Sequence, residues 1–97
     1  MQKTIKIYEF TKDAAISTRD GKIVRDKIEQ ELRNQNTVVL DFNNVSIILM
    51  KFLEIAIGEL YRNHSHDFMM EKISVVNMIY PEKWRAAIRN GRKKYKR

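Results

Sequence analysis

Three short runs of β-branched residues, separated by segments with helical spacing, limit what this chain can fold into. We predict strands at about residues 3–9, at Thr37–Phe42 and at Lys72–Met78. The middle run is too short for an independent helix and too apolar for a sheet edge in water, which favours a central buried strand. Each intervening segment is long enough to bring the next strand back in the same direction, so the sheet is predicted to be parallel.

Three segments have the features of helices. An amphipathic pattern predicts a helix over Thr18–Asn34, with Ser17 or Thr18 as its N-cap. Its apolar stripe consists of Ile23, Val24, Ile28 and Leu32. The segment Ile47–Arg62 is apolar almost all round, and the length of that run favours a helix over a strand. Pro81 opens a last helix, because proline is tolerated in the first turn. The order β-α-β-α-β-α predicts one small α/β domain with a short, mainly parallel sheet covered by helices.

The net charge of +7 is concentrated at one end of the chain. Residues 1–80 contain eleven lysines and arginines and eleven acidic residues, whereas residues 81–97 contain eight lysines and arginines against Glu82 alone. We therefore divide the chain into an α/β core, residues 1–80, and a basic C-terminal helix or tail, residues 81–97, packed on that core. The asymmetry favours an acidic partner for the last helix, and a solvated charged helix is the alternative.

Composition excludes several kinds of site and segment. Without cysteine, the chain has no disulfide, no thiolate metal site, no thiol nucleophile and no iron–sulfur cluster. Residues Met1–Thr4 lead into the first predicted strand with no apolar signal-peptide core, and no apolar run approaches the roughly 18 residues of a membrane span. We expect a cytoplasmic protein that does not contact a membrane.

No pattern in the sequence predicts catalysis. The three glycines are far apart, at Gly21, Gly58 and Gly91, so neither a phosphate-binding nor a dinucleotide-binding loop is present. His64, His66 and Asp67 have a spacing that could hold a metal with a ligand from elsewhere, but the stretch is more typical of a solvated loop. Asp41 and Glu54 could form an acid–base pair; a cap of the loop after the strand and a surface charge are the favoured interpretation. We predict no enzyme, no cofactor and no metal site.

The segment Val38–Val45, Val-Val-Leu-Asp-Phe-Asn-Asn-Val, is predicted as a buried strand followed by a short loop and an apolar helix with Phe52 and Gly58. The pattern resembles the STAS-like family of uncharacterised bacterial and phage-borne domains, which are related to the STAS domains of anti-sigma-factor antagonists. Arg19, at the head of the first predicted helix, fits the same family, and the similarity covers about residues 3–80. The resemblance implies a STAS-like fold and a non-enzymatic regulatory or adaptor domain.

The sequence departs from these relatives at the position that carries their regulation. Anti-sigma-factor antagonists are switched by phosphorylation of a serine at the start of the helix after this strand. Here Leu49–Lys51 occupies that region, and Ser46 lies earlier, in the loop. A phosphoserine would add a charge of about −1.5 to −2 at the helix N-terminus. This departure indicates a STAS-like domain that lacks the phosphorylatable serine.

The resemblance implies that the chain docks a protein partner, such as a kinase-like ATPase. A second copy of the chain is the other partner that we predict, because it would bury the apolar helix equally well. The contact surface would be the loop after the second predicted strand and the exposed side of the following helix. The residues predicted for this surface are Asn43, Asn44, Ser46, Lys51, Glu54 and Arg62. A helix as apolar as Ile47–Arg62 must bury more than one face, which a partner would satisfy. A central core helix is the alternative.

The alternative function is nucleic-acid binding through the last helix. Apolar spacings of four, three and four predict its docking face, at Trp84, Ile88, Gly91 and Tyr95. Trp84 is expected to be buried against the sheet. The cations predicted to contact phosphates are Arg85, Arg89, Arg92, Lys93, Lys94, Lys96 and Arg97. Cations that only complement the helix dipole are the competing explanation. Under this alternative the protein would belong to a phage or mobile element and act in defence or counter-defence.

Overall fold

Eleven short elements make up the computed structural model, which describes residues 1–96. In chain order they are β1 (Gln2–Lys6), α1 (Tyr8–Thr11), β2 (Ala14–Ala15), α2 (Thr18–Arg33), β3 (Thr37–Asp41), β4 (Ile47–Ile48), α3 (Met50–Ala56), a 3₁₀ helix (Gly58–Arg62), α4 (His66–Lys72), β5 (Ile73–Val76) and α5 (Pro81–Lys94). None of the helices within residues 1–96 combines the length and the apolar character that a membrane crossing requires.

The central sheet has three parallel strands in the order β1-β3-β5. Its register pairs Ile5 with Leu40 and Leu40 with Val75. All three predicted strands are present, and the predicted α/β class with a short parallel sheet is confirmed. A second, two-residue parallel ladder joins β2 to β4, with Ala15 opposite Ile48. That ladder was not predicted from the sequence.

Helices cover one face of the central sheet. On the core face, Ile5, Val38 and Leu40 are almost completely buried. On the other face, Thr4 and Ser74 flank Val39 in register; both are exposed, and Val39 is half-buried. The prediction of a central strand is confirmed by its position between β1 and β5. Its alternate residues differ in burial: Val38 and Leu40 lie on the core face, whereas Val39 points to a largely open face.

Helix α2 begins where the sequence predicted and ends within one residue of the prediction. The hydroxyl of Ser17 accepts a hydrogen bond from the backbone N–H of Asp20 at 3.0 Å, which confirms Ser17 as the N-cap. Val24 and Ile28 are completely buried, as the stripe predicted. Ile23 is 42% exposed, because it lies one position away from Val24 and therefore about 100° around the helix from the buried face.

The single helix predicted over Ile47–Arg62 is wrong. The first two residues form β4, α3 covers only seven residues, and the rest is a 3₁₀ helix that begins at Gly58. The apolar character of the segment has a different cause from helix length: α3 lies between α2 and α5, and Phe52, Leu53 and Ala56 are buried. The segment is therefore apolar because it is surrounded by other elements of the core on most of its sides.

A short helix, α4, begins at His66, inside the stretch that was interpreted from the sequence as a solvated loop, and includes Lys72, the first residue of the last predicted strand. The hydroxyl of Ser65 accepts a hydrogen bond from the backbone N–H of Phe68 at 3.1 Å and caps the helix. Met69 is the buried residue that anchors α4 on the core. The predicted strand Lys72–Met78 is observed as the four residues of β5.

Helix α5 packs mainly on α3 and the 3₁₀ helix, and the contact is a close approach of two backbones. A Cβ at Gly91 would lie 2.7 Å from the carbonyl oxygen of Gly58 and 2.9 Å from its Cα. Trp84, predicted to be buried against the sheet, packs on the core and is half-buried. Tyr95, which follows the helix, also packs on the core.

The carboxyl end of β3 is held by Asp41. Its Oδ1 accepts hydrogen bonds from the backbone N–H of Asn43 at 2.9 Å and from the side-chain amide of Asn77 at 2.8 Å. The bond from Asn77, then that from Asn43, lowers the pKa of Asp41 below its ordinary value of 3.8. The predicted loop cap is therefore observed, with a half-buried rather than a buried carboxylate.

Replacing Gly91 by alanine should lower the free energy of unfolding by about 1–3 kcal/mol, because the new methyl group overlaps the backbone of Gly58. The matched control is Gly58→Ala, whose Cβ would lie 3.5 Å from the nearest atom, the carbonyl oxygen of Ala87, at an ordinary contact distance. Urea unfolding followed by Trp84 fluorescence measures both variants. Equal stability of the two variants would show that the close approach is not required.

Asp41→Ala should lower the free energy of unfolding at neutral pH by about 1 kcal/mol, since two hydrogen bonds to a carboxylate are lost. The lowered pKa means that this stabilisation is present above the ordinary carboxyl pKa and disappears as the pH falls through the folded-state pKa. Thermal melts between pH 7 and pH 2 should therefore show the two proteins converging at acid pH. Asp41→Asn is the control, because it keeps an acceptor oxygen and loses only the charge. A difference that persists unchanged at pH 2 would contradict the assignment.

Candidate functional site

Four cations form a row on the outer face of α5. The row consists of Arg85, Arg89, Arg92 and Lys93. With 3.6 residues per turn, these four positions fall within an arc of about 100° around the helix. All four side chains are exposed, whereas Ala87 and Gly91 on the far side of the helix are buried. We call this set the basic row.

Within the described residues, the cations of the basic row are not held in ion pairs. Among residues 1–96, none of its four side chains forms an ion pair. The acidic residues of α2 and the 3₁₀ helix are used elsewhere: Arg25 pairs with Asp26 and Glu59, and Lys27 pairs with Glu31. The positive charge of the row therefore faces solvent undiminished by salt bridges.

A cleft of about 520 Å³ lies beside the basic row. One wall comes from the turn between the 3₁₀ helix and α4, and the other from the end of α5. Its lining residues are Tyr61, His64, Ser65, His66, Arg89, Arg92, Lys93, Tyr95 and Lys96. No aspartate or glutamate from the described part of the chain lines it. The cleft combines four cations with four ring side chains.

Two histidine rings on the first wall are held in fixed positions. The His66 ring stacks on Tyr61 at a tilt of 20°, and its Nδ1 lies 2.8 Å from the Tyr61 hydroxyl. His64 donates from Nε2 to Glu29 Oε1 at 2.6 Å and stacks on Phe68 at 4.8 Å. Burial raises the pKa of Tyr61, which keeps its hydroxyl neutral. The wall is therefore an ordered surface of planar rings.

The remaining predicted cations are divided among different places. Lys96 lines the cleft with the row. Lys94 lies elsewhere, in a groove that also contains Lys51 and Glu54. Arg97 is outside the described residues. The structure therefore brings five of the seven predicted cations to one side of α5, namely the basic row and Lys96.

The loop predicted to bind a protein partner is exposed. Asn43, Asn44 and Ser46 all reach solvent in the turn between β3 and β4, and Asn44 has a positive φ of 70°. The turn is fixed from both sides: Ser46 N–H donates to the carbonyl oxygen of Asp13 at 2.9 Å, and the Tyr80 hydroxyl donates to the carbonyl oxygen of Ser46 at 2.9 Å.

The other three residues predicted for that surface do not join the loop. Lys51 is exposed on α3, and Glu54 lies beside α5, 3.4 Å from the Asn90 amide. The Arg62 guanidinium lies over the Tyr95 ring, 5.1 Å from its centroid. Tyr95 is at the opposite end of α5 from the loop, about 20 Å along a helix of this length. The six predicted residues therefore lie on at least two separate surfaces.

Exposed apolar side chains accompany the loop, and sequence reasoning missed them as a group. Ile47 is 50% exposed, Ile16 42% and Leu49 39%. The β2–β4 ladder brings them together, since Leu49 N–H donates to the carbonyl oxygen of Ala15 at 3.0 Å, next to Ile16. A parallel pairing between residues 14–15 and 47–48 leaves no short-range signal in the sequence.

The residues weighed for metal binding and catalysis are not brought together. His64 and His66 have the separate partners Glu29 and Tyr61. Within residues 1–96, no three histidine or acidic side chains are arranged to hold a metal ion. Asp41 is hydrogen-bonded at the carboxyl end of β3, and Glu54 faces α5, so the two carboxylates are not a pair.

The comparisons with known proteins identify a family and nothing closer. The model of the family described as a STAS-like domain of unknown function matches residues 20–79, from the first turn of α2 to the residues just before α5. No curated protein and no solved structure matches the chain. The match covers more than half of the sequence and includes the β3 segment that carries the resemblance. The chain therefore belongs to the family of STAS-like domains of unknown function.

Proposed function

We propose that this protein is a non-enzymatic binding module that holds nucleic acid on the outer face of α5. The observation that carries the proposal is the basic row, four exposed cations within an arc of about 100° and without ion pairs in the described structure. A helix anchored on its opposite face at Gly91 holds these cations in a constant orientation. Such a row of cations is suited to contact successive phosphate groups along a nucleic-acid strand.

The charge distribution favours a nucleic-acid contact confined to α5 over a general attraction to the whole surface of the protein. Residues 1–80 are formally neutral, so the net charge of +7 comes entirely from residues 81–97. A polyanion bound by the row would release counterions, and its affinity would fall steeply as salt rises. The competing explanation, cations that complement the helix dipole, accounts for residues in the last turn only. Arg85 lies two turns before the end of α5 and is outside its range.

The family match supports the non-catalytic part of the proposal. STAS-like domains are generally non-catalytic regulatory domains. The matched residues, 20–79, stop before the basic row, so the family match does not include it. In the proposal, the STAS-like core is the scaffold and α5 is the contact element.

A second candidate, docking of a protein partner or a second copy, is supported by the exposed residues Ile16, Ile47 and Leu49 beside the loop Asn43–Ser46. Burial of such side chains depends little on salt. Sedimentation of the purified chain over a range of concentrations tests self-association. A dimer that survives high salt and is lost in Ile47→Asp would support this candidate.

Neutralising the basic row should abolish most nucleic-acid binding and leave the fold intact. The test variant replaces its four cations by glutamine, and the control replaces Lys3, Lys6, Arg19 and Lys22, which are exposed and lie before α5. Both variants lose four positive charges and have equal net charge, so they differ only in where the charge is lost. Fluorescence anisotropy with a labelled RNA should show the slope of log affinity against log salt flattening by up to about 3 in the row variant, at about 0.7–0.9 per lost contact.

The thermal midpoint of the row variant should hardly move, because exposed unpaired cations contribute little to stability. Equal loss of binding in the two variants would mean that net charge alone attracts the RNA. Binding that is unchanged in both variants would refute the proposed function.

A further inference from the structure

The cleft beside the basic row has features that a phosphate-binding surface alone does not need. Phosphates require cations and N–H donors, and the row already supplies the cations. The cleft adds ring side chains from the opposite wall, and its volume of about 520 Å³ lies within the about 300–1,000 Å³ typical of clefts that enclose a small ligand. The geometry therefore provides space for a group larger than a phosphate.

The ring of His66 is placed to receive a flat group. One of its faces lies on Tyr61, with ring centroids 6.0 Å apart, and the hydroxyl of Tyr61 fixes its rotation through Nδ1. His66 is half-buried and lines the cleft, so part of its ring borders the open space. A ring that is already immobilised loses little further freedom when a second ring stacks on it.

The cations of the opposite wall lie where a backbone would follow. Arg89, Arg92 and Lys93 belong both to the basic row and to the cleft. A strand whose phosphates lie along the row would therefore pass the mouth of the cleft. Aromatic surfaces beside a positively charged groove are the arrangement by which proteins hold single strands, because every base has a face that can stack.

We propose that the protein prefers single-stranded nucleic acid, with one unpaired base in the cleft on His66 and its flanking phosphates on Arg89, Arg92 and Lys93. This inference rests on the proposed function and specifies its ligand. In a duplex the bases are stacked on one another inside the helix, so they cannot enter the cleft without being extruded. A duplex can contact the row alone.

Three labelled probes of equal length test the preference at one salt concentration with the full chain. They are a single-stranded oligouridine of about 12 nucleotides, a duplex of the same length, and an abasic strand that keeps the sugars and phosphates. The single strand should bind about tenfold more tightly than either of the others, a ratio typical of losing one stacking contact.

The variant His66→Ala should lose that advantage and bind all three probes alike, whereas His66→Phe keeps a planar ring and should retain it. Thermal midpoints show whether both variants are still folded. If neither variant folds, the comparison of the three probes with the unmodified chain still tests the preference for single strands. If all three probes bind the unmodified chain equally and the row variant loses all three, the inference is overturned and the proposed function survives. If no probe binds at low salt, both are overturned.

Discussion

Backbone contacts at two glycines hold the segment from α3 to the 3₁₀ helix between α2 and α5. A Cβ at Gly21 would lie 3.0 Å from Ile55 Cβ, and one at Gly91 would lie 2.7 Å from the Gly58 carbonyl oxygen. Side chains larger than hydrogen would separate these helices and open the core. Because the contact at Gly91 also fixes the rotation of α5 about its axis, it determines which side chains face solvent. The position of the basic row is therefore a consequence of core packing.

The same packing explains why charge is distributed so unequally over the surface. The side of α2 that faces the 3₁₀ helix carries both signs. An ion pair from Arg25 to Glu59 and a hydrogen bond from His64 to Glu29 join elements across the groove. On the outer side of α5, the four cations of the basic row form no ion pair within residues 1–96. The groove between α2 and the 3₁₀ helix thus has opposite charges in contact, whereas the outer side of α5 keeps its positive electrostatic potential.

The sequence predicted those parts of the fold that have a local signal. Strands β1, β3 and β5 have β-branched runs, and α2 and α5 have amphipathic spacing with Ser17 and Pro81 at their starts. The segment Ile47–Arg62 could not be divided correctly, because a stretch that is buried on most sides has no periodicity to mark where β4 ends and α3 begins. Helix α4 was missed because it is short, although the Ser65 cap was a usable signal. The cleft could not be predicted, since its two walls are brought together only by the contact of α5 with the 3₁₀ helix.

Strands β1, β3 and β5 are neighbours in the sheet in the same order as in the chain. Each strand that leaves the ribosome therefore finds its partner already synthesised, and the sheet can grow in one direction without waiting for a later segment. Helix α5 follows all of them and docks on α3 and the 3₁₀ helix, which precede it. Helix α5, with most of the net positive charge, is therefore synthesised after the elements on which it packs.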